Sequence, residues 1–190
     1  RALSAETLLS WWRSERGMLL DVISPLDPKT RLAWYGPPMS ARSLATARLM
    51  ETWAHGQDIY DALRQSRLPT DRLRHIAHLG VSTCSWSFQN RRMAPPAEPI
   101  RVELSGPSGD LWSWGPQEAA QLIRGTAEDF CLVVTQRRHM DDTALEATGA
   151  SARQWMLVAQ AFAGPPAEGP KPGLRGSFKH TPLRRTQAAP

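Results

Sequence analysis

Cysteine is nearly absent from this 190-residue chain, where Cys84 and Cys131 stand 47 positions apart with no second pair. That scarcity excludes a disulfide framework and a zinc knuckle, and the expectation is two free thiols in a reducing cytoplasm. Lysine is scarce too, at three against twenty arginines. A bias that wide reports the base composition of the source genome rather than a use of guanidinium chemistry. No run of eighteen apolar residues occurs, so no transmembrane helix is expected. The residues after Arg1 read as helix interior, not as a basic, apolar, cleavable leader, and no signal peptide is expected. The composition is not that of a chain disordered throughout, since 41% of it is hydrophobic.

Charge of one sign is also missing from most of the chain. The formal net charge is +5, yet residues 165–190 hold five basic side chains against Glu168, leaving 18 basic and 17 acidic residues in 1–164. The body is nearly neutral and the basicity is a tail. That tail has six prolines and three glycines in 26 residues. So little apolar content cannot offset the entropy of ordering, and the segment is expected to be disordered.

The length suits one medium or two small domains. Apolar residues Leu8, Leu9, Trp12, Leu19 and Leu20 predict a helix from Ala5 to about Ile23 with Ser4 as N-cap. The run Trp34-Tyr35-Gly36-Pro37-Pro38 predicts an aromatic loop, because two consecutive prolines forbid helix or central strand. Ser40 then caps a long helix, Ala41–Leu63, whose stripe is Leu44, Ala47, Met50, Ala54, Ile59 and Leu63. Thr70 is expected to cap a shorter helix, Asp71–Leu79, that Gly80 ends. After the prolines at 95, 96 and 99 the period changes to two. Ile100–Leu104 and Leu111–Trp114, joined by a Gly-Pro-Ser-Gly-Asp turn, predict a β-hairpin. Helices are expected over Gln117–Ile123, which follows Pro116, and over about Thr126–Arg138 and Ala150–Phe162. The fold class is therefore α+β: a helical domain over 1–92, a small α+β domain over 97–164, and the tail over 165–190.

The residues that carry chemistry lie on the long helix. Glu51, His55 and Asp58 follow one another at spacings of four and three, so they share one face. A carboxylate and an imidazole one turn apart suit a divalent ion at about 2.0–2.2 Å, with Asp58 as third ligand or as the acceptor that orients the ring. The alternatives are an exposed pair that stabilises the helix by a few tenths of a kcal/mol, or a histidine satisfied in the core. His75 and His78, three apart, have ligand spacing as well, but Arg72 and Arg74 beside them oppose a cation. The eight tryptophans are spread over every segment, as packing residues are. Trp34 and Tyr35, just before the metal-candidate helix, are the ones to place at a cofactor pocket's mouth.

The run Ala47–Leu63, with Glu51, His55 and Asp58 on a Glu-x-x-x-His-x-x-Asp pattern, resembles the third helix of the metal-binding domain in the mycothiol-dependent maleylpyruvate isomerase family. That family is a branch of the DinB/YfiT-like four-helix bundles, and its members often add a small α+β domain. Residues 34–40 and 72–80 resemble an actinobacterial subgroup described as metal-binding proteins, some of them labelled for tRNA wyosine-base formation. The resemblance implies zinc or another divalent ion with three protein ligands and an open position. It also implies a thiol cosubstrate, mycothiol, whose thiolate attacks an electrophilic substrate in isomerisation or S-transfer. An arginine of the C-terminal domain would grip the substrate carboxylate, and Arg137 and Arg138 are the candidates, a solvated helix end being the alternative. One departure is large: the family takes a further histidine from an earlier helix, and no histidine lies between Arg1 and Pro38. The expectation is that a first helix or more is missing, or that Asp58 or His75 substitutes, or that the metal has been lost.

Three readings follow. The first is a cytoplasmic, metal- and thiol-dependent isomerase or transferase acting on small molecules, with no membrane partner. The second is a non-catalytic metal-binding or helical interaction module, for which a homodimer is one expected assembly. The third, a tRNA-associated protein, rests on the tail and the wyosine label, and nucleic acid is not the expected partner of so neutral a body.

Overall fold

The structure, a computed structural model, describes residues 3–34 and 38–175. It is a mixed α+β chain with two small sheets. The described elements are α1 (Ala5–Ile23), β1 (Arg31–Leu32), β2 (Met39–Ser40), α2 (Ala41–Ala62), α3 (Leu73–Ser82), α4 (Cys84–Gln89), β3 (Ile100–Ser105), β4 (Leu111–Trp114), β5 (Gln121–Thr126), α5 (Ala127–Val134), β6 (Glu146–Thr148) and α6 (Ala150–Val158). The chain divides into two units, Arg1–Arg48 and Leu49–Pro190, and the boundary falls inside α2.

In the first unit Ser4 caps α1 by accepting the Thr7 N–H at 3.1 Å. The strands β1 and β2 pair antiparallel, Arg31 opposite Ser40 and Leu32 opposite Met39. They deliver the chain to the start of α2, where three donors that a helix leaves orphaned are met. The Ala41 N–H donates to the Thr30 carbonyl, that of Arg42 to the Pro28 carbonyl, and that of Ser43 to the Ser40 hydroxyl. Ser40 thus caps α2 as its residue type predicts. None of the α1 residues is buried.

The second unit is built on a four-stranded sheet of order β4-β3-β5-β6. The hairpin β3–β4 is antiparallel, with Val102 opposite Trp114 and Leu104 opposite Trp112. Strand β5 lies on the other side of β3 and runs parallel to it. Here the structure differs from the expected helix over 117–123. Seven residues are too few for an isolated helix to hold, whereas Gln121–Thr126 finds six ladder partners on β3 and an antiparallel edge on β6. The tight connection into β5 uses Gly115, at φ 82°, where a Cβ would run into the Ile100 carbonyl.

Val102, Leu104, Ile123, Phe130, Trp155 and the α3 residues Leu73 and Ile76 are each no more than 1% exposed and belong to one core. Helices α3 and α4 therefore share their core with the sheet. Gly80 does not end α3, which runs on to Ser82. A Cβ at Gly80 would stand 2.8 Å from Val134 Cγ2, so the glycine lets α3 and α5 approach. Thr70 accepts the Leu73 N–H through its carbonyl and not through its hydroxyl. The segment 165–175, expected to be disordered, makes defined contacts: Gln136 Nε2 donates to the Ala167 carbonyl at 2.9 Å and the Gly173 N–H to Asp142 Oδ1 at 2.8 Å. The rest of the tail, 176–190, lies outside the described residues.

Candidate functional site

Within the second unit, α2 buries Met50, Trp53, Ala54 and Gln57, spaced at i, i+3, i+4 and i+7. The stripe does not continue through Ile59 and Leu63, which are 62% and 65% exposed. It continues through two polar residues, Gln57 and Asp61. Asp61 is 12% exposed and takes both forks of Arg138, at 2.7 Å each. Burial alone would raise the Asp61 carboxyl, but the hydrogen bonds from Arg138 and Gln57 outweigh it and hold the group below the usual range.

The stripe turns Glu51, His55 and Asp58 to its flank, where they stand 36%, 69% and 38% exposed. The imidazole is bracketed. Its Nε2 is 3.3 Å from Glu51 Oε2, and its Nδ1 is 3.5 Å from Asp58 Oδ2. The two carboxylates therefore address opposite ring nitrogens and cannot join one nitrogen on a single ion. Asp58 is also spoken for: its Oδ2 accepts from Arg137 Nη2 at 2.8 Å and its Oδ1 from Arg175 Nη1 at 3.3 Å. Of the two roles expected for Asp58, the ring-orienting one matches this geometry.

Arg137 and Arg138, adjacent in sequence, part company. Arg138 is 4% exposed and its fork is spent on Asp61. Arg137 is 14% exposed, so neither is a solvated helix end. Nη1 of Arg137 donates to the Thr135 carbonyl at 2.7 Å and Nε to the Ala54 carbonyl at 3.3 Å, while Nη2 stands 3.4 Å from His55 Nδ1. Of the two candidates for a carboxylate grip, Arg137 is the one the structure brings beside His55.

A metal at this place would take Glu51 Oε2 and His55 Nε2, a chemically suitable carboxylate–imidazole edge. Among the described residues no group of three or more His, Cys, Asp or Glu is placed to hold an ion. The donor set thus fits two corners of a coordination sphere.

Other expected residues are placed elsewhere. Trp34 lines a pocket of ≈ 660 Å³ in the first unit with Glu15, Leu19, Ala33, Leu44 and Arg48. Tyr35 lies outside the described residues, as does His180. His78 accepts from Trp114 Nε1 at 3.3 Å, and His139 accepts the Asp141 N–H, capping a turn. Burial pushes the Cys84 thiol up to about 12 and the Cys131 thiol well above its ordinary value, so both stay protonated at neutral pH. The sequence reading missed Asp61, Gln57 and Arg175. For the first two the signal was present: polar residues on the line where an apolar stripe should run.

No described helix is long and apolar enough to cross a membrane. Residues 96–148, from the linker through β6, match the family model for wyosine base formation. That span has four arginines against nine acidic residues. All four arginines are paired with carboxylates: Arg101 and Arg124 with Glu103, Arg137 with Asp58, and Arg138 with Asp61.

Two relatives, uncharacterized proteins of Mycobacterium tuberculosis strains CDC 1551 and H37Rv, are each 55% identical over 168 residues, which is 88% of this chain. The chain spans 65% of the length of these curated relatives. No solved structure matches it. Residues 1–60, which include Glu51, His55 and Asp58, match the model for the mycothiol maleylpyruvate isomerase N-terminal domain.

Proposed function

We propose that this chain is the metal- and substrate-binding part of a divalent-metal-dependent isomerase or S-transferase that uses a low-molecular-weight thiol, mycothiol in the family. The observation that carries the reading is the bracketed imidazole: Glu51 and Asp58 flank the His55 ring at 3.3 and 3.5 Å, and Arg137 reaches both His55 and Asp58, inside or beside the segment that matches the family model. Glu51 and His55 hold the cation, zinc in the family, as two of its protein ligands. The bound cation supplies charge that keeps a thiol as thiolate near neutral pH.

The remaining work belongs to side chains. With a cation on Nε2, Asp58 Oδ2, 3.5 Å from His55 Nδ1, would accept the Nδ1–H and so favour the tautomer whose Nε2 lone pair faces Glu51. Arg137 is fixed by the Ala54 and Thr135 carbonyls and by Asp58, and its remaining N–H groups grip a substrate carboxylate. The pairing with Asp58 holds the guanidinium in place before substrate arrives, so less ordering is left for binding. Cys84 and Cys131 take no part as nucleophiles, because burial keeps them as thiols. The helical part is read as belonging to a DinB-like four-helix bundle. The uncovered apolar residues of α1 support this, because bundle helices bury such a face.

The test is thiol-dependent turnover of a maleylpyruvate-like electrophile by the full-length protein. Arg137→Lys is expected to raise KM for the carboxylate substrate at least tenfold with a smaller effect on kcat. Absence of turnover in the metal-loaded protein with mycothiol present overturns the reading.

The wyosine match favours a tRNA-associated function as a second reading. The acidic balance of that segment, nine acidic residues against four arginines, weighs against phosphate binding there.

A further inference from the structure

A second site-like feature lies in the same unit but uses none of Glu51, His55 or Asp58. It is a cavity of ≈ 280 Å³ whose wall includes Gln57, Arg67, Glu128, Asp129, Arg138 and Asp142. Its two cations are already engaged. Arg138 is forked onto Asp61. Arg67 Nη1 donates to the Trp53 carbonyl at 2.8 Å, and the guanidinium lies over the rings of Trp53 and Tyr60 at 5.5 and 5.7 Å.

The acceptors are in surplus. Gln57 is 4% exposed, and its Nε2 donates to Asp61 Oδ1 at 3.0 Å. That bond fixes the amide's orientation and leaves Oε1 as the free end, buried and without a donor. Asp142 repeats the pattern: Oδ1 accepts from the Gly173 N–H, while Oδ2 is buried and unpartnered. Glu128 accepts no hydrogen bond among the described residues, and burial, with Asp129 beside it, pushes its carboxyl above the usual range against the opposing pull of the Arg67 and Arg138 charges. Buried acceptors without donors are rare in folded proteins and mark a place where something else completes them. Whatever does so here must bring several N–H or O–H donors into a small volume whose lining has three carboxylates against two guanidiniums.

We infer that this cavity binds a small primary ammonium compound, whose –NH3+ donates to Gln57 Oε1 and Asp142 Oδ2 while Glu128 balances its charge. An ammonium has three donors and no acceptor, which complements a wall of opposite inventory. Exclusion of water strengthens each of these charge-assisted bonds.

The experiment titrates the protein with ethylammonium, followed by calorimetry and by thermal midpoint, with tetramethylammonium as a probe of equal charge that lacks N–H. Expected is saturable one-to-one binding of ethylammonium, at least tenfold weaker for tetramethylammonium. Affinity should fall at least tenfold in Glu128→Gln and in Asp142→Asn. Glu128→Gln is the cleaner variant, because it removes a carboxylate that burial disfavours and should raise the ligand-free melting temperature while it weakens binding. No saturable binding, equal affinity for the two cations, or affinity unchanged in both variants overturns the inference and leaves water as the cavity's occupant.

Discussion

Helices α1 and α5 are both rich in apolar residues, yet α5 buries six of its eight residues and α1 buries none of its nineteen. Among the exposed large apolar residues of α1, exposure runs from 39% at Leu19 to 65% at Val22. The difference teaches that periodicity fixes which face of a helix is apolar but not what covers that face. In the second unit the cover of α5 is helix α3 together with the sheet, both supplied by the same chain. Stability should therefore reside in the second unit, and the first should tolerate changes that the second cannot.

The sharpest way to break that contrast is Trp155→Ala. Trp155 is 1% exposed and meets Phe130 edge-on at 5.8 Å, so truncation should cost about 3–5 kcal/mol. Denaturant unfolding should show a lower midpoint with an unchanged slope. Next is Arg138→Ala, which strands the part-buried Asp61 and should cost about 3 kcal/mol near neutral pH. Because Asp61 is held below its ordinary value, its contribution is present above about pH 3.8 and is lost as the pH falls through the folded value. The gap between Arg138→Ala and the native protein should accordingly narrow in acid.

Glu128→Gln should act in the opposite direction, with a gain of up to about 1 kcal/mol. The Glu128 carboxyl is raised above its ordinary 4.5. Its favourable share is complete below that pH and is lost as pH rises through the folded value, so the variant's gain appears near neutrality and vanishes in acid. The smallest effect is expected on α1, where Trp12→Ser should change stability by no more than about 0.5 kcal/mol, as measured by the same unfolding curves. A large loss there would mean that the exposed face of α1 is packed in solution.

Local signals made much of the fold legible. The alternation at Ile100–Leu104 with its glycine-rich turn gave the hairpin, and Ser40 marked the start of α2. Strand β5 was not legible, because Pro116 followed by helix-compatible residues describes the segment alone, whereas its structure is decided by partners on β3 and β6. Gly80 was ambiguous for a similar reason: a glycine that ends a helix and one that admits a neighbouring helix look alike until Val134 is in place. For the site, spacing along α2 placed Glu51, His55 and Asp58 on one face. It could not show that Asp58 is held by Arg137, 79 residues further on, or that Arg138 turns to Asp61 instead.

Whether Glu51 and His55 hold a divalent cation is read from the metal content of the full-length protein and its variants. Close to one zinc or equivalent ion per chain is expected, lost in His55→Ala and in Glu51→Gln, and retained in Glu128→Gln. A native protein without stoichiometric metal, or a metal content unchanged by both of the first two substitutions, would contradict that expectation.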